Sequence, residues 1–82
     1  MEVIPIDFLS QYAYNNIMKI LLGEIMYNKN ISVRQLEIMT GISRSTINNI
    51  MNERYSPTMD NMEKLAEALK IRISDLYESP YK

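Results

Sequence analysis

Apolar residues recur at helical spacing along most of the chain, and the breaks between them mark out a series of short helices. From about Gln11 to Tyr27, Ile17, Leu21 and Ile25 recur together with Met18 and Leu22. Ile20 and Met26 widen that stripe beyond one core contact, so a first helix with a broad apolar face is predicted. The preceding residues 1–10 mix apolar side chains with Pro5 and read as an arm, with Asp7 or Ser10 as the helix N-cap. Asn28-Lys29-Asn30 interrupts the pattern. Ser32 then stands three residues before Gln35, the spacing at which the two side chains satisfy each other's unpaired backbone N–H groups. That predicts a second helix from Val33 to about Thr40, with Leu36 and Met39 facing inward and Gly41 ending it in a sharp turn.

Ser43 is placed to cap a third helix reaching about Met51, with Ile47, Ile50 and Met51 inward and Arg44, Ser45, Asn48, Asn49 and Asn52 outward. After a loop from Asn52 to Pro57, Thr58 caps a fourth helix lined on one face by Met59, Met62, Leu65, Ala66 and Leu69. Ile73, Leu76 and Tyr77 suggest a last short one. The expected architecture is all-α, a compact bundle of five helices: an arm over 1–10, the domain over 11–78 and a tail over 79–82. At 82 residues the chain has apolar side chains for one core and not two.

Composition narrows the chemistry. Without cysteine or histidine there is no disulfide framework, and the usual zinc ligands and the commonest general base are missing. Neither a metal, a cofactor nor a catalytic residue is expected, and 82 residues of helical bundle offer little room for an enzyme's cavity. No apolar run reaches the roughly 20 residues that span a bilayer, and Met1-Glu2-Val3-Ile4-Pro5 lacks the basic start of a secretory signal, so the cytoplasm is the expected location. Nothing after the last helix reads as a sensor domain, and a small-molecule effector is not expected.

Net charge is -1, against the trend of nucleic-acid binders. The charge is unevenly spread, however. Lys29, Arg34, Arg44 and Arg54 outweigh Glu37 and Glu53 across residues 29–56, and this is the only net-positive block. Two short helices joined by a glycine turn, the second presenting short polar side chains and an arginine, meet the requirements for placing a helix in the major groove of DNA. Arginine pairs with guanine O6 and N7, asparagine with adenine N6 and N7, and serine is more permissive.

Residues 31–71 resemble, without a gap, the Cro/cI-type phage-repressor helix-turn-helix family, also called the Xre family. The matching residues are Ile31-Ser32, Leu36, Gly41-Ile42-Ser43, Ser45-Thr46-Ile47, Ile50, Pro57-Thr58, Leu65-Ala66 and Ala68-Leu69. The resemblance implies a lambda-repressor-like fold and a homodimer on an inverted-repeat operator in double-stranded DNA, regulating transcription; a repressor is the leading expectation, although the sequence does not supply the sign. By position it assigns Arg44, Ser45, Asn48 and Asn49 to base edges, and Ser32, Arg34, Thr46, Arg54 and Ser56 to phosphates.

Several residues depart from the family pattern. Val33 stands where a glutamine often braces the first recognition residue. Glu37 replaces a small residue between the two helices, so its carboxylate is expected to bend outward or the helix crossing to widen, because an unpaired buried charge is costly. Met51 and Glu53 stand where glutamate and glycine are frequent, and Glu53 would repel phosphate if it faced DNA. Met26 takes the place of a frequent arginine.

Met18, Met39, Met59 and Met62 are read as adaptable core filling. Tyr12, Tyr14 and Tyr27 flank the first helix, where packing or a dimer contact is the simpler role than base stacking. Glu63, Glu67, Asp75 and Glu78 form a solvated face. The broad apolar face of the first helix, with Phe8 and Leu9, is either core under the arm or a partner surface. A competing function follows from the second option: a protein-interaction module, or an antitoxin that binds both an operator and a protein partner.

Overall fold

Ser32, Ser43 and Thr58 each accept a hydrogen bond from a backbone N–H three residues ahead, and each thereby starts a helix. The computed structural model describes residues 18–54 and 56–82. Strand β1 (Lys19–Ile20) leads into helix α1 (Leu22–Lys29), followed by α2 (Val33–Thr40), α3 (Arg44–Met51) and α4 (Met59–Leu69). A 3-10 turn (Ile73–Leu76) and strand β2 (Tyr77–Glu78) complete the order. The described residues thus hold four α-helices. The fifth expected helix is one 3-10 turn, because Tyr77 leaves it in extended conformation to pair with β1.

One core serves every helix. Leu22 and Met26 from α1, Leu36 from α2, Ile42 from the turn, Ile47 and Ile50 from α3, and Met62, Leu65, Ala66 and Leu69 from α4 meet over Leu76. No polar or charged residue is buried among the described residues. Each fully buried aliphatic side chain contributes about 1.5–3 kcal/mol, and α3 supplies two with no exposed surface at all, Ile47 and Ile50. Helix α2 packs on both α3 and α4, and α1 on α3, so the third helix is held on two sides.

Other expectations are corrected as well. Among the described residues the first helix begins at Leu22, whereas it was expected from about Gln11. Residues 11–17, like the arm, Tyr12, Tyr14 and the Asp7 or Ser10 cap, lie outside the described residues. Lys19 and Ile20 instead pair antiparallel with Glu78 and Tyr77. The Leu21 N–H donates to the Leu76 carbonyl at 2.8 Å, and the Ile20 N–H donates to Glu53 Oε1 at 2.8 Å. Long-range acceptors therefore satisfy the donors that an earlier helical turn would have used.

Met39 is 49% exposed, not inward. The buried side of α2 is Leu36, with Val33, Glu37 and Thr40 half-buried around it, and Met39 lies a step further round the helix. Met59 is 69% exposed, because it opens α4 a turn before Met62 and projects past the edge of the core. Core filling therefore holds for Met62, whereas Met18, Met39 and Met59 are all exposed. Met26 is buried, so the residue in place of a frequent arginine serves the core. Tyr27 is 84% exposed.

Candidate nucleic-acid interface

The turn between α2 and α3 is built from side-chain contacts as well as from glycine. Gly41 takes the left-handed conformation, φ +76°, and its N–H donates to the Glu37 carbonyl at 2.8 Å. Thr40 Oγ1 donates to the Leu36 carbonyl at 2.7 Å and accepts from the Ile42 N–H at 3.1 Å, so the chain reverses around one hydroxyl. Ile42 is buried, which fixes the distance between the two helices.

Helix α3 starts at the Ser43 cap. Ser43 Oγ accepts from the Thr46 N–H at 3.2 Å and donates to Thr46 Oγ1 at 2.9 Å. With roughly 100° per residue, Arg44, Ser45, Asn48 and Asn52 share one side of α3 and Ile47 and Ile50 the opposite one. Burial follows that division: Arg44, Ser45, Asn48 and Asn52 are exposed, and Asn49, at the border, is half-buried. The Asn52 side-chain amide donates to the Asn48 carbonyl at 2.9 Å and closes the end of the helix.

The structure thus brings Arg44, Ser45 and Asn48 together on one exposed face, with Asn49 at its margin. Of the other assigned residues, Arg34, Arg54 and Ser56 are exposed. Ser32 forms the expected reciprocal cap, accepting from the Gln35 N–H at 3.1 Å while its own N–H donates to Gln35 Oε1 at 2.8 Å. Thr46 is half-buried, and its hydroxyl accepts from Ser43.

Two carboxylates complete the site, and neither stands as a bare charge. Glu37 Oε2 accepts from the Arg44 N–H at 2.8 Å, while Oε1 lies 3.6 Å from Arg44 Nη2. Spacing along the chain gave no hint of that pairing, because it depends on the turn that brings position 37 beside position 44. The question of where the Glu37 charge goes is answered by it: the side chain, 34% exposed, reaches across to the start of α3. Glu53 has a left-handed backbone, φ 54°, and its carboxylate binds the Ile20 N–H, linking the loop after α3 to strand β1. Val33, at the place where the family often carries a bracing glutamine, packs half-buried against the core. Met51 is half-buried, with its Cε 3.7 Å from where a Cβ on Gly23 would stand.

Elsewhere, a shallow groove between α2 and α4 is lined by Met39, Thr40, Lys64, Glu67 and Ala68. Among the described residues no helix is long and apolar enough to cross a membrane. Comparison with protein families matches residues 22–80 to the Cro/C1-type HTH DNA-binding domain. A search among curated proteins found no significant match.

Proposed function

Since the chain belongs to the Cro/C1-type HTH DNA-binding domain family, we propose that it is a sequence-specific regulator of transcription, a repressor, which lays α3 in the major groove of an operator. The carrying observation is the division of α3: Ile47 and Ile50 lock one side into the core, and Arg44, Ser45 and Asn48 stand exposed on the other. A helix fixed in this way presents its polar side chains in one orientation, as base recognition requires. Arg44, Ser45, Asn48 and Asn49 contact base edges, and Ser32, Arg34, Thr46, Arg54 and Ser56 contact phosphates. Thr46 does so while its oxygen keeps the bond from Ser43.

As a homodimer the protein binds an inverted repeat, because two copies of α3 related by a two-fold axis read two half-sites about one helical turn apart. Such a regulator works in the cytoplasm, where its operator is.

Selection from random duplex DNA at moderate salt tests this, and an enriched inverted repeat with that spacing is the expected result. Arg44→Ala and Asn48→Ala are each expected to cost roughly 1–3 kcal/mol on the selected site with little change on random DNA. Arg34→Ala and Arg54→Ala are expected to weaken both alike and to lower the log–log salt slope by about 0.9 each. Equal losses from Arg44→Ala on both DNAs would contradict its base-reading role.

A second reading, an interaction module or antitoxin, draws on the exposed apolar side chains of Ile38, 75% exposed, and Tyr27. A folded protein that enriches no sequence would favour it.

A further inference from the structure

We infer that Glu37 determines what Arg44 binds: its carboxylate denies the Arg44 N–H and guanidinium to phosphate and leaves the Arg44 side chain to a base edge. This rests on the base-reading role of Arg44 proposed above. Arg44 is the first residue of α3, so its N–H has no partner within the helix. Donors in that position, at the positive end of the helix dipole, are natural ligands for a phosphate. Here the position is taken. Glu37 Oε2 accepts the N–H at 2.8 Å and Oε1 lies 3.6 Å from Nη2, so one carboxylate holds Arg44 by its backbone and by its side chain. The Thr46 N–H in the same turn is likewise engaged, by Ser43 Oγ.

The carboxylate is not a fully exposed surface group. Its residue lies in the last turn of α2, where its carbonyl accepts from Gly41 N–H, and its side chain is two-thirds covered. A phosphate approaching Arg44 meets that negative charge at close range, whereas the edge of a base is neutral and is repelled far less. Nη2 carries two hydrogens, so one turned towards Glu37 leaves the other to make a paired contact with guanine together with Nη1. Discrimination of this kind penalises the wrong contact in addition to favouring the right one. Glu37 is therefore a positioning residue that lowers affinity for DNA in general and raises preference for the operator.

The test is Glu37→Gln, which keeps an oxygen to accept the Arg44 N–H and removes the charge. Dissociation constants would be measured on the selected site and on a random duplex across a salt series, with thermal melts confirming the fold. The expected result is tighter binding to random DNA, a site-to-random ratio reduced about three- to fivefold, and a salt slope steeper by about 0.9 as Arg44 gains a phosphate. On an Arg44→Ala background the same substitution is expected to leave the ratio unchanged. Glu37→Ala, which cannot clash, provides a second variant with the same expected signs.

An unchanged ratio and slope would overturn the inference, and so would an equal shift on the Arg44→Ala background, which would reduce Glu37 to a contribution to net charge. Both results leave the base-reading role of Arg44 intact. If Arg44→Ala alone fails to lower the ratio, that role falls and this inference with it.

Discussion

Gly41 holds φ at +76° with open space where a Cβ would stand, so replacing it has a conformational cost and no steric one. Gly41→Ala is expected to destabilise by about 1–2 kcal/mol, visible as a lower midpoint in thermal denaturation, and an unchanged midpoint would mean that the turn relaxes to negative φ. Asn30, Glu53 and Lys70 adopt the same region with full side chains. Of these, Glu53 combines an unfavourable backbone with a specific contact, its carboxylate on the Ile20 N–H. Residue chemistry therefore explains two departures from the family pattern that spacing had left open. Each extra carboxylate has a backbone donor to bind, Glu37 across the turn at Arg44 and Glu53 on the distant strand β1 at Ile20. Helical period alone was enough to sort Arg44, Ser45 and Asn48 outward and Ile47 and Ile50 inward. It had no means of pairing Glu37 with Arg44, since that depends on how the turn closes.

Helix boundaries at the element scale follow the same division between local and distant causes. The starts of α2, α3 and α4 were legible because Ser32, Ser43 and Thr58 cap donors three residues away, a bond written within the sequence itself. The start of α1 was not. Its apolar run satisfies helix and strand alike, and the deciding acceptors are distant in sequence, Glu53 in the loop after α3 and Leu76 near the far end of the domain. Burial of methionines was misread for a related reason. A residue at the right spacing, such as Met59, still needs an element opposite it. Within α1, Gly23 occupies a helical position, and an added Cβ would sit in ordinary contact with Met51 Cε at 3.7 Å. Gly23→Ala is accordingly expected to stabilise the domain by roughly 0.5–1 kcal/mol, and a lower denaturation midpoint would show that α1 and α3 pack too closely for the methyl group.

Over the whole molecule, the two-residue strands and the Leu21 to Leu76 hydrogen bond fasten the beginning of α1 to the end of the chain's last turn. Leu76 is fully buried, and the fastening is thus continuous with the core. The Leu21 amide is expected to exchange its hydrogen as slowly as those inside α3 and α4. Measured by NMR, rapid exchange at Leu21 beside protected helices would show the strand pair opening by itself. The antiparallel register sets Lys19 opposite Glu78, with Cα atoms separated by only about 5 Å, as in any such pair. Lys19 and Glu78, near the two ends of the described residues, consequently lie side by side, like thread at the neck of a bead. Spliced at those two residues into a surface loop of another protein, the stretch between them would be carried without prying apart the host's backbone.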